Sequence, residues 1–285
     1  MKGTLYIIIF IIGITQGYSQ SNLDSLNEKG IELYNDGKKA AALKCWKKIL
    51  KSEPDSTRAY GMAANNTLFK YFEDGNIAKT KKYYNLIINS NLNDRDKNPD
   101  LMNPYANYRH HAAMRMASLY GKNKDFDEAL HYVYLADTLY DFETFSLTSF
   151  IYNKVDMAFW KFRLYRDLDN MEMAKFVMIE RGLNNDYVSQ FPDWASASPG
   201  NDEVELAETL FEQYSSNELI ELKSQMDSSF TKIKLESADE KRFAIFELSG
   251  FTYRIPIYSE VTPMECAKIF KNSVLYLKLK ELTSK

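Results

Sequence analysis

Glycine and proline are scarce in this chain, 11 and 7 among 285 residues. A turn-rich all-β protein or a low-complexity chain needs more of both, so a mainly helical protein is the first expectation. Charge of one sign is also missing. Lys and Arg total 36 against 39 for Asp and Glu, a net charge of -3, which excludes the strongly basic surface that nucleic acid or anionic lipid selects. Only two cysteines occur, Cys45 and Cys266, too few and too far apart for the framework of a small disulfide-rich scaffold. Both lie in amphipathic helical patterns, where a lone cysteine is ordinarily a small buried hydrophobe, and whether they pair is left open by spacing.

Long apolar runs are absent apart from Leu5 to Ile14, ten residues, well short of the roughly 20 that a membrane-spanning helix needs. Met1 and Lys2 precede that run, and Thr15-Gln16-Gly17-Tyr18-Ser19 follows it. A basic start, a short greasy centre and small residues at the cut are the order of a secretory signal. The expectation is a signal peptide over 1–19, cleavage after Ser19, and a soluble protein exported to the periplasm or exterior of a bacterial cell. No cysteine lies just after the expected cut, so a lipid anchor is not expected.

Catalytic signatures are lacking too: no G-x-S-x-G, G-x-x-x-x-G-K or G-x-G-x-x-G occurs. His110 and His111 are adjacent, and neighbouring side chains on a helix diverge by about 100°, a poor chelating geometry. Asp94 to Asn98 opens like a calcium loop, but Pro99 stands where Gly is required and Tyr105 where the terminal Glu belongs. No enzyme activity, cofactor or metal is expected.

What is present is a chain with 45% hydrophobic and 26% charged residues, the balance of a sizeable core, and an internal repeat. Tyr34-Asn35-Asp36-Gly37 followed by Ala40 to Ser52 reappears 38 residues on as Phe72-Glu73-Asp74-Gly75 followed by Ala78 to Ser90. A third copy runs from Leu119 to Leu130, and a fourth from Leu164 through Asn170 to Ala174. Ala42, Ala129 and Ala174 would be hollows that receive bulky side chains from a neighbouring helix, with Thr80 at that place in the second copy.

This pattern resembles the tetratricopeptide repeat family, in which antiparallel helix pairs stack into a superhelix. Gly30, Leu33, Ala42, Trp46, Ile49 and Pro54 match it in the first copy, and Ala117, Tyr120, Ala129 and Ala136 in the third. The second keeps Tyr71, Tyr84 and Ile87; the fourth keeps Tyr165 and Ala174 but has Arg181 where a small residue belongs. The resemblance covers about 21–186 and implies a solenoid over 20–190 whose first helices line a concave groove. Carried onto this chain, the groove positions are Asn27, Ile31 and Tyr34; Asn65, Phe69 and Phe72; His111, Met114 and Ser118; and Phe159, Arg163 and Arg166.

Beyond the repeats, Pro192 and the Ser198-Pro199-Gly200 turn residues predict a linker over 191–202. The region 203–285 then reads as helix, hairpin, helix: apolar faces at Leu206, Leu210 and Phe211 and at Leu219, Leu222 and Met226; strands Phe243–Leu248 and Phe251–Tyr258 around Ser249-Gly250; and a last helix from a Thr262-Pro263-Met264-Glu265 capping box to about Leu282. Pro256 cannot donate to a strand ladder and marks the second strand as an edge.

The function these readings imply is that of a non-enzymatic module holding a peptide or protein partner in the groove. Its rivals are an inhibitor or immunity-type protein that neutralises an exported toxin, and an enzyme with a site between the two regions.

Overall fold

The computed structural model describes residues 23–97, 105–184, 201–238, 241–257 and 260–284. The chain is mainly helical with a small antiparallel sheet. It divides into two compact units, Met1–Phe145 and Ser146–Lys285. The expected signal segment lies outside the described residues. No described helix is long and apolar enough to cross a membrane.

The first unit holds three helix pairs: α1 (23–35) with α2 (Lys39–Ser52), α3 (Arg58–Glu73) with α4 (Ile77–Ile88), and α5 (Tyr108–Lys122) with α6 (Phe126–Thr138). From α2 onward each helix packs on the next, and α3 also meets α5, the next-but-one contact of stacked pairs. Leu26 and Leu33 of α1 pack on Ala42, Trp46 and Ile49 of α2 and on Ala59 and Ala63 of α3.

The four sequence repeats share one turn. A residue in the left-handed region ends the first helix of each pair: Gly37, Gly75, Lys124 and Asp169. The next backbone N–H reaches back five residues, Lys38 to Leu33 O (2.8 Å), Asn76 to Tyr71 O (3.0 Å), Asp125 to Tyr120 O (3.0 Å) and Asn170 to Tyr165 O (2.8 Å). This is a Schellman closure, which satisfies helix-terminal carbonyls and reverses the chain. Asn76 and Asn170 then cap the following helix, accepting from Lys79 N at 3.0 Å and Met173 N at 3.1 Å. Ala42, Thr80, Ala129 and Ala174, at one position of the second helix in each pair, are all fully buried.

The stretch resembling a calcium loop is engaged otherwise. Asp94 accepts from the Arg109 backbone N–H (3.0 Å) and its guanidinium (2.6 Å), and Arg109 also donates to Leu92 O and Ser90 O. The loop is sewn to the start of α5 by a cation inside the protein. Residues 98–104 lie outside the described residues.

The second unit holds the fourth pair, α7 (Leu147–Asp167) and α8 (Met171–Leu183), then α9 (Asn201–Phe211), α10 (Ser216–Phe230), β1 (Lys234–Ala238), β2 (Lys241–Leu248), β3 (Phe251–Ile257), α11 (Pro263–Lys271) and α12 (Val274–Leu282). One core joins them. Leu206, Leu210, Leu222, Met226 and Phe230 from α9 and α10 meet Ala174 and Met178 of α8 and Ala244, Phe246, Tyr253 and Ile255 of the sheet. Phe176 lies 4.8 Å from the Tyr253 ring and Phe230 lies 5.6 Å from that of Phe246.

Three expectations change here. The hairpin is two strands of a three-stranded sheet ordered β1-β2-β3, because Lys234–Ala238 pairs with β2 from Lys234↔Ile245 to Ala238↔Lys241. The last helix is two helices: Ser273 accepts from Tyr276 N at 3.2 Å and so caps a new start after Asn272. The linker falls outside the described residues except at Asn201 and Asp202, which already begin α9. The capping box forms, with Thr262 accepting from Glu265 N and Pro263 at the first helical position. β3 lies at a sheet edge, and Pro256 opposes Phe243, a non-hydrogen-bonded place counted from the two-residue turn. Its missing N–H therefore costs the ladder nothing. Cys45 and Cys266 are both free thiols, the second fully buried.

Candidate functional site

The first helices of the first unit present one connected aromatic face. Tyr34 at the end of α1 lies 6.3 Å from the Phe69 ring of α3, and Phe69 lies 6.2 Å from Phe72 one turn on. Each ring is half-buried. They stay so because Leu68 and Tyr71, on the other side of α3, take the buried positions, leaving the 65–69–72 stripe facing away from the partner helices. Tyr34 is backed by Trp46 at 5.6 Å, and its hydroxyl donates to Glu73.

Cations lie over these rings. Lys39 is 5.0 Å from the Tyr34 ring, the Arg115 guanidinium 5.2 Å from Phe69, and the Lys122 ammonium 4.6 Å from Phe72. Their electrostatic situations differ. Lys39 is paired with Glu73 at 3.1 Å. Arg115 donates to the neutral amide oxygen of Asn65 across the α3–α5 contact. Among the described residues no carboxylate lies within ion-pair distance of Arg115 or Lys122. Burial lowers the Arg115 guanidinium to about 10, still charged at neutral pH. His111, one turn before it on α5, is pushed down to about 3 by burial, then by Arg115 and His110, and is neutral.

Of the sequence-named groove residues, Tyr34, Asn65, Phe69 and Phe72 are joined on this face, and His111, Met114 and Ser118 are half-buried on α5. Asn27 is a correction. It is fully buried, and its amide donates to Ala59 O at 3.0 Å, so it fastens α1 to α3 and offers nothing to a partner. A polar residue at a groove-facing period was drawn inward because it meets a backbone carbonyl there. Ile31 is exposed.

Phe159, Arg163 and Arg166 belong to the second unit. Phe159 packs partly against that unit's core, Arg163 stacks over Trp160 at 5.3 Å, and Arg166 lies 3.6 Å from Asp167. The histidine pair has split roles: His110 is buried with Nδ1 3.1 Å from both Ala136 O and Tyr140 O, holding the end of α6, while His111 keeps partial access.

Sequence reasoning passed over Arg115 and Lys122. Their one signal was spacing, since 111, 115, 118 and 122 form a single stripe of α5. Among the described residues no group of three or more His, Cys, Asp or Glu is placed to hold a metal. Comparison of the chain with protein-family models, curated proteins and solved structures gives no match.

Proposed function

We propose that this protein is an exported, non-enzymatic binding module that holds a peptide or protein segment on the α1–α3–α5 face of its first unit. The observation that carries the reading is the continuous Tyr34–Phe69–Phe72 tier, half-buried and bordered by Asn65, His111, Met114 and Arg115. Flat aromatic area next to amide and guanidinium donors suits an extended main chain with bulky side chains. Stacked helix pairs are also a scaffold that builds such faces from one stripe per repeat.

The test is capture of partners from an envelope extract by the mature chain, followed by affinity measurement on variants. Phe69→Ala should lose about 2 kcal/mol of binding and Asn65→Ala a smaller amount, whereas Lys81→Ala, exposed on α4, should change nothing. Thermal unfolding of each variant separates lost contact from lost fold. Equal affinity in Asn65→Ala and in Phe69→Ala would remove this face from consideration.

A further inference from the structure

We infer that the ligand held on this face presents a carboxylate to Arg115, set beside an apolar or aromatic group that rests on Phe69 and Phe72. The inference rests on the binding reading above and specifies its chemistry. Arg115 is the observation. Its side chain is half-buried, sits over the Phe69 ring and, among the described residues, has the Asn65 amide oxygen as its one hydrogen-bond acceptor. A guanidinium carries five N–H donors in a planar fork. One neutral acceptor leaves most of that fork and all of its charge unanswered.

Burying a cation without a counter-charge is costly, and proteins ordinarily supply an acid. This unit does so for the half-buried Arg109, which has Asp94 at 2.6 Å. At Arg115 it does not, and Lys122, one further step along the same stripe, is likewise without a carboxylate among the described residues. An incoming carboxylate would complete the fork with a paired, charge-assisted contact, the strongest polar interaction a guanidinium makes. The neutral His111 beside it adds no competing charge, and the rings give the neighbouring apolar group its seat. The carboxylate can come from an Asp or Glu side chain or from a chain terminus; both present the same two oxygens.

The experiment passes two synthetic random heptapeptide pools over the immobilised mature chain, one with amidated and one with free C-termini, and sequences what is retained by mass spectrometry. Wild type should enrich peptides that place Asp or Glu next to an aromatic residue. A retained Glu peptide should bind about tenfold more tightly than its Gln counterpart. Enrichment confined to free C-termini would support the inference with the terminus as the source.

Two variants carry the decision. Arg115→Gln removes the cation. Asn65→Asp keeps it but supplies an internal carboxylate, and so should abolish the acid preference without loss of thermal stability, even if Arg115→Gln folds poorly. Both should keep the aromatic preference. Aromatic enrichment without acids on wild type would overturn the inference and leave the binding reading standing. Acid preference that persists in Asn65→Asp would overturn the assignment to Arg115. Retention of no peptide, or retention indifferent to Phe69→Ala, would overturn the binding reading itself and the inference with it.

Discussion

Gly30 of α1 lies so close to the indole of Trp46 in α2 that a methyl group at residue 30 would come within 2.9 Å of Cδ1 and nearer still to Nε1. The absent side chain is what lets α1 and α2 approach, and Trp46 fills the space at 2% exposure. Alanine should favour the helix locally by up to about 1 kcal/mol. Overpacking against a rigid indole costs about 1 to 3 kcal/mol, so Gly30→Ala should lower the unfolding midpoint of the first unit. A rise in stability would show that the indole moves aside freely.

Asn27 gives the second prediction. Its Nδ2 holds Ala59 O at 3.0 Å in a fully buried setting, and its Oδ1 has no partner among the described residues. Asn27→Ala removes the bond and leaves a small cavity, a loss of about 1 to 3 kcal/mol. Partner affinity per folded molecule should not change. A variant that keeps its stability but loses binding would return Asn27 to the binding face.

Asp227 contributes to the acid sensitivity of the second unit. Burial works against its ionisation, but Lys271 (2.8 Å), Tyr276 (2.6 Å) and Lys223 (3.0 Å) surround it and hold its carboxyl well below the usual range. The folded-state value is depressed, so the stabilisation is fully present above the unfolded value near 3.9 and is lost as pH falls from there through the folded value. With the side chain about one-third exposed, solvent screening reduces the contribution to about 1 to 2 kcal/mol. Asp227→Asn should therefore be less stable at neutral pH and show a flatter loss below about pH 4 in denaturant titrations. A parallel acid limb in both proteins would count against this.

The β2–β3 turn gives the fourth. Ser249 and Gly250 have φ of 53° and 83°, a type I′ pair whose twist matches the strands. Gly250→Ala places a Cβ in the left-handed region and should cost about 1 to 2 kcal/mol. Thermal unfolding followed at the sheet's aromatic signals, which include Phe246 stacked on Tyr253 at 5.3 Å, reads the effect. An unchanged midpoint would mean that the turn relaxes without strain.

Which parts of this protein are written locally can be seen at particular residues. The Thr262 capping box, the Ser249-Gly250 turn, the edge position of Pro256 and the four repeat turns are each determined within a few residues of chain, by backbone conformations that neighbouring side chains permit or forbid. The register of the internal repeat and its family resemblance likewise pointed to Ala42, Ala129 and Ala174 as hollows beforehand. β1 escaped notice because Lys234 to Ala238 is mostly polar and becomes a strand only by pairing with β2. The break at Ser273 escaped because its hydroxyl caps a helix inside an unbroken apolar rhythm.

The candidate site shows the same division. Tyr34, Asn65, Phe69 and His111 follow from the repeat resemblance carried along the helical period. That Asn27 turns inward to Ala59, 32 residues away, and that Arg115 meets Asn65, 50 residues away and with no acid beside it among the described residues, was decided only by tertiary structure. Period states which side of a helix a residue occupies, whereas the partner it finds there depends on how closely the next helices approach, and that is set by the packing of the whole unit.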